Sequence, residues 1–245
     1  MRSKAWPRLF AVILFVCFGA QCLSAVTLMP LGRLCSTPQE KAGTHIMERR
    51  PQSAVLTHRT LSFVSDRLVV SGDLPRDRTQ ALAQLNMWAT QGITHVMDLR
   101  EEASDEEFVT QHSELGYIWL GVDDNGSPRT DEWFDTITKE ALDVLAKDDT
   151  RLLIHCHMGV NRAPSAMFAV LLVLGYSIEE ALSTIRTARD IAGIIYAPDA
   201  ARWFAAKNHT DPRKAAEDEL TALLWLQRHP VDVSWVISQI GSRTA

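Results

Sequence analysis

The chain is 245 residues long, 46% hydrophobic and 22% charged, a globular balance that excludes a mainly disordered or collagen-like protein. A net charge of −5 offers no broad basic surface, so nucleic acid is not expected as a partner, while a local site for a small anion stays open. Of four cysteines, at 17, 22, 35 and 156, three fall in the first 35 residues, which excludes a disulfide framework in the main domain and singles out Cys156.

Residues 1–46 stand apart. Leu9 to Met29 is an uncharged apolar run behind Arg2, Lys4 and Arg8. It reads as a membrane-spanning segment or as a signal segment ending near Leu23-Ser24-Ala25. If Met47 is the true start, it is instead an upstream stretch outside the protein. A membrane is therefore expected only through residues 9–29, with an anchored or exported protein from Met1 and a cytoplasmic one from Met47.

Further along, Leu68-Val69-Val70 is a β-like run closed by Ser71-Gly72-Asp73. Asp77 to Gln91 has helical periodicity and stops at Gly92. Ile93 to Leu99 and Tyr117 to Val122 are strands; the acid-rich Glu101–Glu107 between them reads as a solvated loop or helix start. Asp123 to Pro128 has turn chemistry. Asp131 to Ala146 is an amphipathic helix with acids at its positive end. Leu152-Leu153-Ile154 is a buried strand, and a helix apolar nearly all round follows from Ala163 to Leu174. Ser177-Ile178-Glu179-Glu180 is a capping box opening a helix that ends with Arg186 and Arg189. Residues 213–227 and 231–240 read as two further helices split by Pro230. Trp203, Trp225 and Trp235 are expected as core or interface anchors, and Asn208-His209-Thr210 is a glycosylation sequon only in an exported eukaryotic chain.

Strands alternating with helices predict an α/β domain, a mostly parallel central sheet flanked by helices, over residues 57–206, with a helical extension over 207–245. Its chemistry is expected between the strand at 152–154 and the helix after it. Cys156 stands at the strand's end, where α/β sheets bind ligands. Residues 157–161 (His157, Met158, Gly159, Val160, Asn161) run into a helix N-terminus, where backbone N–H groups and the dipole favour an anion. Arg162 adds a planar fork suited to phosphate oxygens, and the same positive field stabilises a thiolate. A zinc site at His155-Cys156-His157 is not expected, because neighbouring strand-end side chains diverge and no second ligand pair is apparent.

His155-Cys156-His157-Met158-Gly159-Val160-Asn161-Arg162 resembles the HCxxGxxR signature of cysteine-dependent protein phosphatases. Gly92 to Arg100 and Leu68 to Asp73 resemble the compact dual-specificity branch, and the likeness covers residues 57–206. The resemblance implies that Cys156 is the nucleophile, that Arg162 and the loop N–H groups hold the phosphate, and that no metal or cofactor is used. It also implies that His155 tunes the thiolate and that an Asp on an upstream loop is the general acid. Asp124, 32 positions before Cys156, is preferred over Asp123. The chain departs from the family at Ala163, where Ser or Thr usually helps the thiolate leave in the second step; Ser165 is not expected to substitute.

The implied partner is a phosphorylated protein. The alternatives are a catalytically weak phosphate-binding module, favoured by Ala163, and a phosphatase for small phosphates, disfavoured by the lack of Lys in the loop. Arsenate reduction would need partner cysteines that the main domain lacks.

Overall fold

The computed structural model describes residues 58–232 and Ser234. The apolar run 9–29, the alternative start at Met47 and Trp235 lie outside the described residues, as does nearly all of the helix expected over 231–240. Among the described residues, no helix is long and apolar enough to cross a membrane.

The strands are β1 (Ser62–Phe63), β2 (Leu68–Ser71), β3 (His95–Arg100), β4 (Gly116–Val122) and β5 (Leu152–His155). They form one sheet in the order β1-β2-β5-β3-β4, antiparallel only between β1 and β2. The short, wholly apolar β5 takes the centre because both of its faces are covered. Leu152 and Ile154 join Leu68, Val70, Met97 and Leu99 in one core; Leu153 joins Val69 and Val96 in the other. Register aligns Ser71 and Asp98 with His155, so β2 and β5 finish level beneath the loop that begins at Cys156 and β3 runs on to Arg100.

Helices α1 (Arg78–Thr90) and α2 (Glu106–His112) cover the Leu153 face through Ala81, Leu85, Trp88 and Val109. The Ile154 face is covered by α3 (Asp131–Leu145), α4 (Arg162–Val173), α5 (Ile178–Ala188), α6 (Ala197–Lys207) and α7 (Pro212–Arg228). Polar side chains set the helix starts. Asp77 accepts the Gln80 N–H, Thr130 accepts the Trp133 N–H, and Ser177 and Glu180 form the expected capping box. Every residue of α4 from Arg162 to Leu172 is buried. Large apolar side chains such as Met167, Phe168 and Leu171 each contribute about 1.5–3 kcal/mol by burial, which fixes the helix start that carries Arg162.

The acidic run holds both of its expected readings: irregular backbone at 101–105 leads into α2, where Glu106 and Glu107 suit the positive end of a helix. The chain also forms β1, a two-residue edge strand, and α6, for which the sequence pattern predicted nothing. The α6 signal is Pro198 and Asp199 in the first turn, with Ala197, Ala200 and Ala201 buried; alanines give a weak apolar stripe.

Candidate active site

The loop from Cys156 to Arg162 is built by spending its carbonyls on protein donors. The His157 carbonyl accepts the Asp73 N–H at 3.1 Å, and the Val160 carbonyl accepts the Gly193 N–H at 2.6 Å. The Met158 and Gly159 carbonyls accept Arg189 at 3.0 and 2.6 Å. Among the described residues, no acceptor takes the N–H groups of residues 157–162. That leaves consecutive amide donors over a helix start, the donor set of an anion nest. Gly159 is essential to the turn: its φ is +61°, and a Cβ there would lie 2.6 Å from the Ser71 carbonyl oxygen and 2.5 Å from Arg189.

Arg189 is a residue that sequence reasoning missed. Expected only as the end of a helix, it is buried beneath the loop, where it also donates to the carbonyls of His58 and Thr60 and to Ser62 Oγ. Burial pushes it down to about 10, against the pull of Cys156 and Asp190. Burial also opposes the charge on Arg162, but Glu102, Cys156 and Asp124 outweigh it and raise its basicity. Both guanidinium groups therefore sit close enough to Cys156 for their charges to act on it.

Glu102 is the second missed residue. It was expected on a solvated face, yet its two oxygens take Arg162 Nη1 and Nη2 at 2.7 and 2.8 Å, a bidentate pair. Arg162 Nη1 also reaches the Val122 carbonyl at 3.0 Å. Arg162 Nε is buried without a hydrogen bond, 3.4 Å from Asp124 Oδ2. One edge of the guanidinium is thus fixed and the other faces Asp124.

Of the two candidate acids, Asp124 is turned to the loop: its Oδ1 accepts Asn161 Nδ2 at 2.6 Å and the Tyr196 hydroxyl at 3.0 Å. Both are exposed, and Asp123 differs in having its carbonyl held by Arg129 at 2.7 Å. Buried Arg129 spans the turn through Asn125 and Ser127 and stacks 4.5 Å from the Tyr196 ring. Asn161, in turn, accepts the Ile195 N–H at 2.8 Å, so one side chain joins the loop, the acid and the segment before α6. Ser165 is buried, its oxygen accepting the Tyr196 N–H at 3.3 Å, and Ala163 is wholly enclosed.

His155 is fully buried on the Trp88 side, and burial, against the pull of Asp98, lowers its basicity. Beside it lies a charged network. Arg100 binds Asp98 at 2.7 Å and Asp105 at 2.6 Å, and the Tyr117 hydroxyl donates to Asp98 at 2.6 Å. Ligand atoms of Asp98, Asp105 and His155 lie within 4.8 Å of one another, a spacing that suits a metal ion. Both carboxylates are already bound by Arg100, which supplies the counter-charge. Asp73 accepts His157 Nδ1 at 2.8 Å and Arg59 at 2.7 Å. Burial opposes its charge, but His157, His58 and Arg59 hold it well below the usual carboxylate range.

Residues 78–196 match the family model described as the dual specificity phosphatase catalytic domain. A mouse putative dual specificity phosphatase, crystallised with zinc tungstate, is similar in fold at a TM-score of 0.51 and 15% identity, over 66% of this chain and 98% of that one. Human DUSP28 is similar at 0.50 and 15% identity, over 60% of this chain and 95% of that one. The segment 78–196 of this chain, with its mostly parallel five-stranded sheet, is consistent with a compact domain of the dual specificity phosphatase type.

Proposed function

We propose that this protein removes phosphate from phosphotyrosine, phosphoserine or phosphothreonine of proteins through a phosphocysteine intermediate. The observation that carries the reading is the loop over Cys156: unpaired amide donors, one guanidinium edge beside Asp124, and Asp124 turned inward. In the first step the Cys156 thiolate attacks phosphorus in line, the bond to the leaving oxygen breaks, and protonated Asp124 gives that oxygen its proton. Arg162 Nε and the loop N–H groups hold the equatorial oxygens as charge shifts onto them. In the second step water attacks phosphorus, its proton passes to the Asp124 carboxylate, and the sulfur–phosphorus bond breaks to restore the thiolate. The amide nest and the guanidinium supply the positive field, so no metal enters either step.

Ala163 has no hydroxyl, and the Ser165 hydroxyl donates to Asn161 Oδ1 at 3.5 Å while accepting the Tyr196 N–H, so neither serves the departing sulfur. The second step is therefore the slow one. The test is stopped-flow hydrolysis of an aryl phosphate by the full chain, with chelator present. The expected trace is a burst matching the enzyme concentration, followed by turnover roughly a hundredfold slower, the low end of a general acid–base contribution. Cys156→Ser should abolish both phases, and Ala163→Ser should raise the slow phase and leave the burst. Hydrolysis that survives Cys156→Ser would refute the thiolate mechanism. A folded wild type that binds phosphopeptide without hydrolysing it would make the protein a phosphate-binding module, the reading that Ala163 favours.

A further inference from the structure

A cavity of 530 Å³ adjoins the loop, with His157 and Glu102 at its catalytic side and Pro75, Arg76, Arg78 and Phe108 among its other walls. That size falls within the range of built ligand sites. Its charges do not balance locally. Asp73 is taken by Arg59 and His157, Glu102 by Arg162, and Asp105 by Arg100. Asp77, between the two arginines, accepts the Gln80 N–H as the cap of α1. Among the described residues, neither Arg76 nor Arg78 has a carboxylate partner. Arg78 instead donates to His112 Nε2 at 2.8 Å and lies 5.8 Å from the Phe108 ring centre; His112 Nδ1 faces the Phe108 carbonyl, so the proton is there and Nε2 accepts. Arg76 makes no ion pair or hydrogen bond among the described residues and stands exposed in the cavity wall.

We infer that Arg76 and Arg78 form a second anion subsite, which selects phosphoproteins carrying an acidic side chain close to the phosphorylated residue. This rests on the proposed protein phosphatase reading and specifies its substrate. An extended peptide places side chains of one face about 7 Å apart, so a chain with its phosphate over Cys156 lays the next side chain of that face in the neighbouring cavity. The carboxylates of the wall do not repel it, because each is neutralised by its own partner. Guanidinium groups without a carboxylate partner are the complement a carboxylate or a second phosphate needs.

The experiment uses the full chain and two phosphotyrosine peptides that differ only in glutamates or glutamines at the two positions on either side. The readout is the ratio of kcat/KM between them within each protein, which a partly misfolded sample does not alter. Wild type should favour the glutamate peptide about fivefold, mainly through KM, as expected for two partly exposed ion pairs, and salt should erode the preference. Arg76→Ala with Arg78→Ala should bring the ratio to one, and Arg76→Glu should invert it. Equal rates on both peptides by wild type, or a ratio unmoved by the variants, would overturn the subsite while leaving the phosphatase reading intact. Turnover of aryl phosphate with neither peptide hydrolysed would overturn the protein-substrate reading, and the subsite with it. A preference for phosphorylated inositol headgroups in vesicles over both peptides would overturn it too.

Discussion

His155 precedes Cys156 in sequence but turns to the opposite side of the sheet, against Trp88. Neither ring nitrogen has a hydrogen bond, and Asp98 Oδ2 is 3.7 Å from Nε2. Burial lowers its basicity from the ordinary 6.5, so the folded state takes up its proton later than the unfolded chain does. Stability attributable to this histidine is complete above pH 6.5 and is lost as pH falls from 6.5 through the lowered folded value. The depressed carboxylates Asp73 and Asp98 add their own loss only near and below their ordinary 3.8, while Asp105, raised by burial, acts with the opposite sign and gains stability as pH falls. His95, lowered by burial and by Lys147, shares the window of His155 below pH 6.5. Thermal melts between pH 7.5 and 5 should therefore show a smaller decline in Tm for His155→Asn than for wild type, with a residue of decline from His95. Parallel declines would show that His155 already takes its proton in the fold. At this same scale the sequence was least informative. Glu102 meets Arg162 across sixty positions, and nothing in an acidic run distinguishes a solvated carboxylate from one that a distant arginine recruits.

The strand–loop–helix unit was legible for local reasons. A wholly apolar β5, a glycine in the loop and an apolar helix with Pro164 in its first turn are each written in adjacent residues, so Cys156, Arg162 and the loop between them could be placed directly. The supports of that unit were not legible, because Arg189 and Arg129 act through backbone carbonyls, and a carbonyl has no sequence signature. Gly159 joins the local and the distant. Its φ of +61° is open to an L residue at about 1–3 kcal/mol, but a Cβ at 2.6 Å from a backbone oxygen of β2 has no cheap escape. Gly159→Ala should displace the loop from Arg189, lowering kcat/KM on an aryl phosphate by at least tenfold. The Tm should fall only a few degrees, because α4 stays anchored by its apolar side chains. Activity within twofold of wild type would mean that the loop tolerates the shift and that Arg189 does not set its geometry.

The fold places the site at the carboxyl end of a sheet enclosed on both faces, and the two faces do different work. The smaller core beneath α1 and α2 holds His155 and borders the buried Asp98–Arg100–Asp105 network. The larger one carries α4 and continues past residue 196, where the family match ends, into α6 and α7. Trp203 lies 5.5 Å from Phe134 of α3, and Trp225 of α7 is buried, with His229 stacked at 4.1 Å and Arg186 at 5.3 Å from its ring. A helix whose tryptophan enters the same core as α4 belongs to the cooperative unit, although the site makes no contact with it. Trp225→Ala should then cost about 3 kcal/mol, the lower end for a buried aromatic, because the pocket is at the rim of the core and partly refills. In a domain of this size that corresponds to roughly 6–12 °C in Tm. The melt should stay a single transition, and the burst at Cys156 should keep its amplitude at 25 °C. A separate early transition, with the main one unmoved, would make α7 an appendage whose loss the phosphatase domain does not register.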